Sequence, residues 1–356
     1  IIYEPDYLVN VTTVASCYET YAESPFVSIT NRRKPQANTE HIHLGNLTGQ
    51  FLDDTVHDRD IPFAQSMTRY FQMNALEMLA CEGFQSQQQA EAFYEKARAQ
   101  RANIRKLIGQ DLRQSIARYD SAHVTLEPTF FSDMLGIQGR LDFLYRHKKQ
   151  TIIIEQKSGK GDFVPPSSPS YDPEVPKPQE KHLVQLLLYR ALLTYEFNLH
   201  SEELSHIMLL YSRYQQGLVS VGQMPALMLR AIRMRNLLAW CEIHHAQEGY
   251  AFLSTLSPEK LNRKQVGGIL WNIYVRPELE RLLLPIHQAS PLERAYFLRF
   301  MQFLAQERLL SKVGSKTKED AGFASKWLSS LEEKRAAGNI YEGLILDDFQ
   351  QDDDGV

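Results

Sequence analysis

Asp142, Glu155 and Lys157 are the residues best suited to do chemistry, because the segment GIQGRLDFLYRHKKQTIIIEQKSGKG, residues 136–161, sets them on neighbouring strands. Its two apolar runs, LDFLY and TIIIE, are rich in β-formers and are punctuated by Gly136, Gly139 and HKKQ, which predicts a β-hairpin. With His147 to Gln150 as a four-residue loop, Arg146 pairs with Thr151, and counting back brings Asp142 opposite Glu155 and Arg140 opposite Lys157. Alternation then predicts these four polar side chains on one face. The other face carries Leu141, Phe143, Tyr145, Ile152 and Ile154 and needs a cover of helices.

Two carboxylates one cross-strand spacing apart repel each other unless a cation lies between them. A hard divalent ion, Mg²⁺ or Mn²⁺, suits the donors on offer: Asp142, Glu155 and the main-chain carbonyl of Gln156. Such a set leaves positions free for a phosphate oxygen and a water. The ion would acidify that water and offset phosphodiester charge, while Lys157 steadies the transition state. The chemistry implied is phosphodiester hydrolysis. The competing readings are a solvated strand-edge pair and a buried salt-bridge network in an otherwise structural α/β domain. TIIIE is too apolar for a solvated edge, and the second acidic strand beside it favours a site.

Downstream, QEKHLVQLLLYRALLTYEF reads as a mostly buried helix of about five turns. Gln185 and Tyr189 are four apart and share a face. An amide and a phenol on a buried helix need hydrogen-bond partners, which the polar face of the sheet would supply.

In combination, Gly139-Arg140-Leu141-Asp142, Glu155-Gln156-Lys157 and Gln185-Leu186-Leu187-Leu188-Tyr189 resemble, in order and spacing, the PD-(D/E)XK nuclease superfamily. Within it the likeness is to the RecB-like subgroup with its Gln-x-x-x-Tyr helix. LEPTFFSDMLGIQGRLD, Lys157-Ser158-Gly159 and IMLLYSRYQQGLV are further similar to the nuclease domain of replication nuclease-helicases. The resemblance covers residues 1–225. It implies a restriction-endonuclease-like αβββαβ core, with Asp142 and Glu155 as metal ligands and Lys157 as a catalytic residue. Gln185 and Tyr189 would support the site or contact the DNA backbone. The implied substrate is single-stranded or flapped DNA, with a helicase in the same polypeptide or complex and a place in DNA replication or repair.

Two departures from the family pattern stand out. The subgroup carries Gly-x-x-x-His on an early helix, its His a further metal ligand, whereas the matching segment here is Gly45-Asn46-Leu47-Thr48-Gly49. Gly49 stands where the His belongs, and Asp53, one turn on, is the nearest replacement. This favours an alternative reading, a nuclease-fold module that binds DNA or a helicase but cuts poorly. Relatives also hold a four-cysteine cluster, but Cys17, Cys81 and Cys241 are three and scattered, so no iron–sulfur cluster is expected.

A chain of 356 residues with 43% hydrophobic content has ample material for a core. Three scattered cysteines, and no apolar run approaching a membrane span or signal core, make a reducing cytoplasm the default. Starting at Ile1 and ending in DDFQQDDDGV, the sequence reads as a piece of a longer protein. Net charge is −4, but five of the 43 acids lie in that tail, and without them the balance is about +1. Local basic stretches then matter. Arg98, Arg101 and Arg105 share a helical face, and Arg230, Arg233 and Arg235 form a second cluster; either is a solvated face or the lining of a groove for single-stranded backbone.

Residues 1–120 read as mainly helical, through VTTVASCYETYA, SMTRYFQMNALEMLACEGF and AEAFYEKARAQRANIRKLIGQDLRQSIARY. From His123 the pattern is strands: HVTLEPTFF, IQGRLDFLY and TIIIEQK as a meander, then a crossover helix and SHIMLLYSRY. FVPPSSPSYDPEVPKPQ is a surface loop beside the site, either a passive connection or a DNA-contacting flap. Helices return in PALMLRAIRMRNLLAWCEIHHAQ and LERAYFLRFMQFLAQERLL. The expected division is a nuclease domain at 1–225 (helical 1–120, catalytic sheet and helix 123–225), a helical region at 226–345 and an acidic tail at 346–356. No phosphate-loop lysine motif appears, so an ATP-driven motor would lie outside this segment.

Overall fold

The computed structural model describes residues 1–35, 38–116, 119–199, 203–315 and 322–345; the acidic stretch 346–356 lies outside them. In chain order the strands are β1 (Val9–Asn10), β2 (Val124–Leu126), β3 (Thr129–Ser132), β4 (Ile137–Arg140), β5 (Phe143–His147), β6 (Gln150–Lys157), β7 (Leu204–Tyr211) and β8 (Leu218–Ser220). A further small hairpin pairs Tyr18–Glu19 with Ala22–Glu23. The longer helices are α1 (Glu40–Val56), α2 (Phe63–Met73), α3 (Gln87–Lys106), α4 (Glu180–Glu196), α5 (Pro225–Glu248), α6 (Arg276–Gln288) and α7 (Pro291–Val313).

The main sheet has the order β8-β7-β6-β5-β2, with β6 and β7 parallel and joined by the α4 crossover. It is the expected mixed α/β core of restriction-endonuclease-like form, flanked by helices. Thr151 to Glu155 are all buried, as a strand covered on both faces requires. On one face Phe143, Tyr145, Ile152 and Ile154 pack against Leu47 and Phe51 of α1 and Phe93 and Ala97 of α3. On the other, Leu144, Ile153 and Leu209 pack against Val184, Leu188 and Leu192 of α4, and Ala231 and Leu238 of α5 join the same cluster. A third cluster ties the C-terminal helices to the N-terminus, through Tyr21, Ile29, Cys241, Leu279, Leu283 and Ala305.

The hairpin register is the expected one, with Arg146 paired to Thr151 and Phe143 to Ile154. Its loop is tighter, because His147 pairs with Gln150 and Lys148 takes up a left-handed backbone (φ 54°). The meander differs. HVTLEPTFF and IQGRLDFLY each break in the middle, so β2 and β5 join the main sheet while β3 and β4 form a separate sheet with β1. Pro128 cannot continue a ladder, Glu127 is left-handed (φ 50°), and the strand pair bends there and at Leu141-Asp142. The bend overturns three expectations. Asp142 lies outside the ladder, which ends at Phe143 and Ile154, so it is not the strand partner of Glu155. Arg140 lies opposite Thr129 in the small sheet, not opposite Lys157, and Leu141 is buried with α4, not with Phe143.

VTTVASCYETYA is also not one helix. It stops at Ala15, where the Ser16 hydroxyl turns back to the Thr13 carbonyl (2.8 Å) and the chain enters the small hairpin. Among the described residues no helix is long and apolar enough to cross a membrane.

Candidate active site

The carboxyl ends of the parallel strands β6 and β7 meet the N-terminal half of α4, the usual place for a ligand in such a sheet. Asp142 arrives there because of the bend. Glu127 N–H donates to the Asp142 carbonyl (3.1 Å) and Leu141 N–H to the Pro128 carbonyl (3.1 Å), which holds the crossing between the two sheets. Freed from the ladder, the Asp142 side chain reaches β6, where Oδ2 accepts the Gln156 main-chain N–H at 2.7 Å.

Glu155 is buried beside it. Its Oε1 accepts from Lys157 Nζ (2.7 Å) and from Gln185 Nε2 (2.5 Å), while Lys157 Nζ also donates to Gln185 Oε1 (3.0 Å). Glu155, Lys157 and Gln185 therefore close a triangle. Glu155 Oε2 is buried and has no hydrogen-bond partner among the described residues. Burial first, and the neighbouring Asp142 charge second, push the Glu155 pKa up to about 7. Burial likewise raises that of Asp142, against the pull of Lys157.

Tyr189 shares the Gln185 face of α4 but its hydroxyl bonds to the backbone and not to either carboxylate. Its hydroxyl donates to the Arg140 carbonyl at 2.6 Å. Gly139 makes room for the ring, since a Cβ there would lie 2.7 Å from Tyr189 Cε1. Tyr189 thus latches the end of β4, next to the bend that delivers Asp142.

The donors fit a divalent cation. Glu155 Oε2 is a buried oxygen without a partner, Asp142 is held beside it by Gln156, and all are hard oxygens. Among the described residues no three His, Cys, Asp or Glu side chains gather as a metal cage. Further ligands would have to be main-chain carbonyls, Gln156 foremost, and water.

Asp142, Gln156 and Lys157 line a cleft of about 940 Å³ together with Gly45, Gly49, Asp53 and Tyr70 from the helices opposite, while Glu155, Gln185 and Tyr189 are buried behind that wall. Gly49 does face the cleft, and a Cβ there would meet nothing within 4 Å. Asp53 also faces it, but is bound to His57 (2.8 Å) and Arg59 (2.9 Å). A larger groove of about 1440 Å³ between α6 and α7 shares no lining residue with the cleft and holds none of these carboxylates.

The cations of the cleft are Arg69, Arg140, Lys157, Lys160 and Lys181, none of them from the two basic stretches. Arg101 is buried, donating to the Ile61 carbonyl and lying over Phe51 and Phe63, and Arg105 pairs with Asp60 at 3.4 Å. Arg230 is held by Glu23 and Glu180, and Arg235 is fully buried among main-chain carbonyls. The loop 162–177 is closed at its neck, where Asp162 N–H donates to the Lys177 carbonyl (2.6 Å) and the side chains pair at 2.7 Å.

Sequence reasoning missed the support beneath the site. Gln100 of α3 donates to the Ser158 carbonyl (3.1 Å) and accepts from Ser212 Oγ (2.6 Å), and Ser212 N–H donates to the Lys157 carbonyl (3.0 Å). It also missed His182, which lines the cleft one turn before Gln185. The i, i+3, i+7 spacing of His182, Gln185 and Tyr189 was the signal available.

A family model described as the PD-(D/E)XK nuclease superfamily matches residues 13–267. No curated protein matches the chain.

Proposed function

The chain belongs to the PD-(D/E)XK nuclease superfamily, and on that premise we propose that it is a Mg²⁺- or Mn²⁺-dependent DNA nuclease domain. It hydrolyses phosphodiester bonds of single-stranded or flapped DNA and works with a helicase in replication or repair. The observation that carries this reading is the buried, unpartnered Glu155 oxygen beside Asp142, with the Lys157 ammonium 2.7 Å from the other Glu155 oxygen.

A divalent ion held by Asp142, Glu155 and the Gln156 carbonyl supplies Lewis acidity that offsets phosphate charge and acidifies water. The protein does the rest. Lys157 has three N–H donors, of which Glu155 and Gln185 take two, leaving one for a phosphate oxygen or the attacking water. With 20% of its side chain exposed, it can reach a ligand without leaving its partners. Gln185 fixes both Glu155 and Lys157, so neither spends entropy on orientation during reaction. Arg69 and Lys160, at the rim, suit a phosphodiester backbone.

Labelled single-stranded DNA with Mg²⁺ or Mn²⁺ tests the reading. Cleavage should be abolished in Glu155→Gln and Lys157→Ala while thermal melting is unchanged. Cleavage surviving both substitutions would overturn it. The second reading, a module that binds DNA or a helicase and cuts poorly, draws on Gly49 and would be recognised by tight DNA binding without cleavage at any metal concentration.

A further inference from the structure

His182 lies on the wall of the cleft between Lys157, Lys160 and Lys181, one turn before Gln185 on α4. Its Nδ1 is 2.8 Å from the hydroxyl of Tyr211, a fully buried residue at the carboxyl end of β7. That hydroxyl already accepts the Gln179 main-chain N–H at 3.1 Å. Its own proton therefore needs an acceptor, and among the described residues Nδ1 is the one within reach. Burial pushes the Tyr211 pKa up to about 12, so the phenol keeps the proton it donates.

A ring that accepts at Nδ1 carries its proton at Nε2 when neutral. Neutral it is: burial, with Lys157 and Lys181 adding to it, pushes the His182 pKa down to about 3. The reverse tautomer would aim two N–H groups at the Tyr211 oxygen and strand a buried phenol proton, which costs a hydrogen bond. Among the described residues nothing hydrogen-bonds Nε2, although the residue lines the cleft.

We propose that His182 is a substrate-contacting residue, its Nε2–H donating to a non-bridging phosphate oxygen of the DNA strand held beside Lys157. The proposal rests on the nuclease reading and deepens it. Tyr211 sets the tautomer, and the Gln179 amide sets Tyr211. A neutral donor recognises a phosphate oxygen without adding like charge next to Lys157 and Lys181. It positions the strand, as phosphate contacts do, without reading the base.

The test pairs two measurements on the full chain. Long-range ¹H–¹⁵N correlation on histidine-labelled protein should show His182 as the Nε2–H tautomer, its signal identified by loss in His182→Gln. Steady-state cleavage of a single-stranded oligonucleotide should show His182→Leu with KM raised roughly tenfold and kcat little changed. His182→Gln, which puts an amide N–H near the Nε2 position, should recover most of that loss. Tyr211→Phe should weaken binding partway and let the Nδ1–H tautomer appear, a control that stands even if His182→Leu folds badly. An Nδ1–H or doubly protonated ring in the wild type, or a His182→Leu enzyme with wild-type KM, overturns the proposal alone. A wild type that cuts no DNA with any divalent ion overturns it together with the nuclease reading.

Discussion

At the scale of single residues, the site is a set of charges held slightly out of balance. Asp142 and Glu155 face one ammonium, and burial leaves one carboxylate oxygen without a partner. Gly49 sharpens this, since its position opens on the same cleft with free space where a side chain would be. A Gly49→His variant should therefore raise Mn²⁺ affinity roughly tenfold by titration calorimetry. Unchanged affinity would mean that this helix stands too far from the ion. His182 makes a separate prediction with a definite sign. Its folded pKa of about 3 lies below the ordinary 6.5, so the unfolded chain takes up the proton first, and stability is lost as pH falls from 6.5 toward 3. Glu155 works in the opposite direction between 4.5 and about 7, because its folded pKa is raised. Urea unfolding of wild type against His182→Gln isolates the histidine: the variant should lose less stability on acidification. Equal losses would contradict a half-buried neutral imidazole. Glu155 and Lys157 were legible from strand alternation and Asp142 from its place in the motif, although the bend and not the ladder brings it in, whereas His182 was not legible, because its partner Tyr211 lies across the crossover, where no local pattern pairs them.

At the scale of elements, the decisive feature is the bend between β4 and β5, and period-two alternation does not encode one. The pattern reads LDFLY as continuous strand, so it put Arg140 opposite Lys157 and Leu141 with Phe143, both overturned by the switch between sheets. Gln185 and Tyr189 were legible as a shared face of α4. What Tyr189 binds was not, since its target is the main-chain carbonyl of Arg140. The basic face is solvated at Arg105, which stays exposed beside Asp60, but not at Arg101, because sequence shows its charge and not the Ile61 carbonyl that another segment brings to it. Two glycines test the packing around the bend. Gly136 has φ 62°, and a Cβ there would strike the Arg235 guanidinium, which donates to the carbonyls of Gly136 (3.0 Å), Glu4 (2.8 Å) and Tyr7 (2.8 Å). Gly136→Ala should cost about 3 kcal/mol in chemical denaturation and leave the activity of the folded fraction intact. Gly139→Ala, which pushes on Tyr189, should lower both stability and kcat. Full activity in Gly139→Ala would deny the Tyr189 latch a part in the site.

At the scale of the whole molecule, the superfamily match ends at residue 267, and α6 and α7 lie beyond it, yet they are built into the same body. Glu242 of α5 joins them to the N-terminus. It is 7% exposed and pairs with Arg32, after the short helix Pro25–Asn31, and with Arg308 of α7 (3.4 Å). Glu242→Ala should cost about 2 kcal/mol, less than a fully buried pair because both arginines reach solvent. A melting temperature unchanged by that substitution would mean the ion pairs only decorate the surface. These helices were legible from their periodicity, but their long-range partners were not, because ion pairs more than 200 residues apart, such as Arg32 with Glu242, leave no trace in spacing. Whether Asp142 and Glu155 share a divalent ion is decided by anomalous diffraction at the manganese edge from crystals of the full chain soaked in Mn²⁺. A peak within about 2.1 Å of one oxygen from each of Asp142 and Glu155 is expected; a map in which both carboxylates stay bare at saturating Mn²⁺ would mean that they hold no ion.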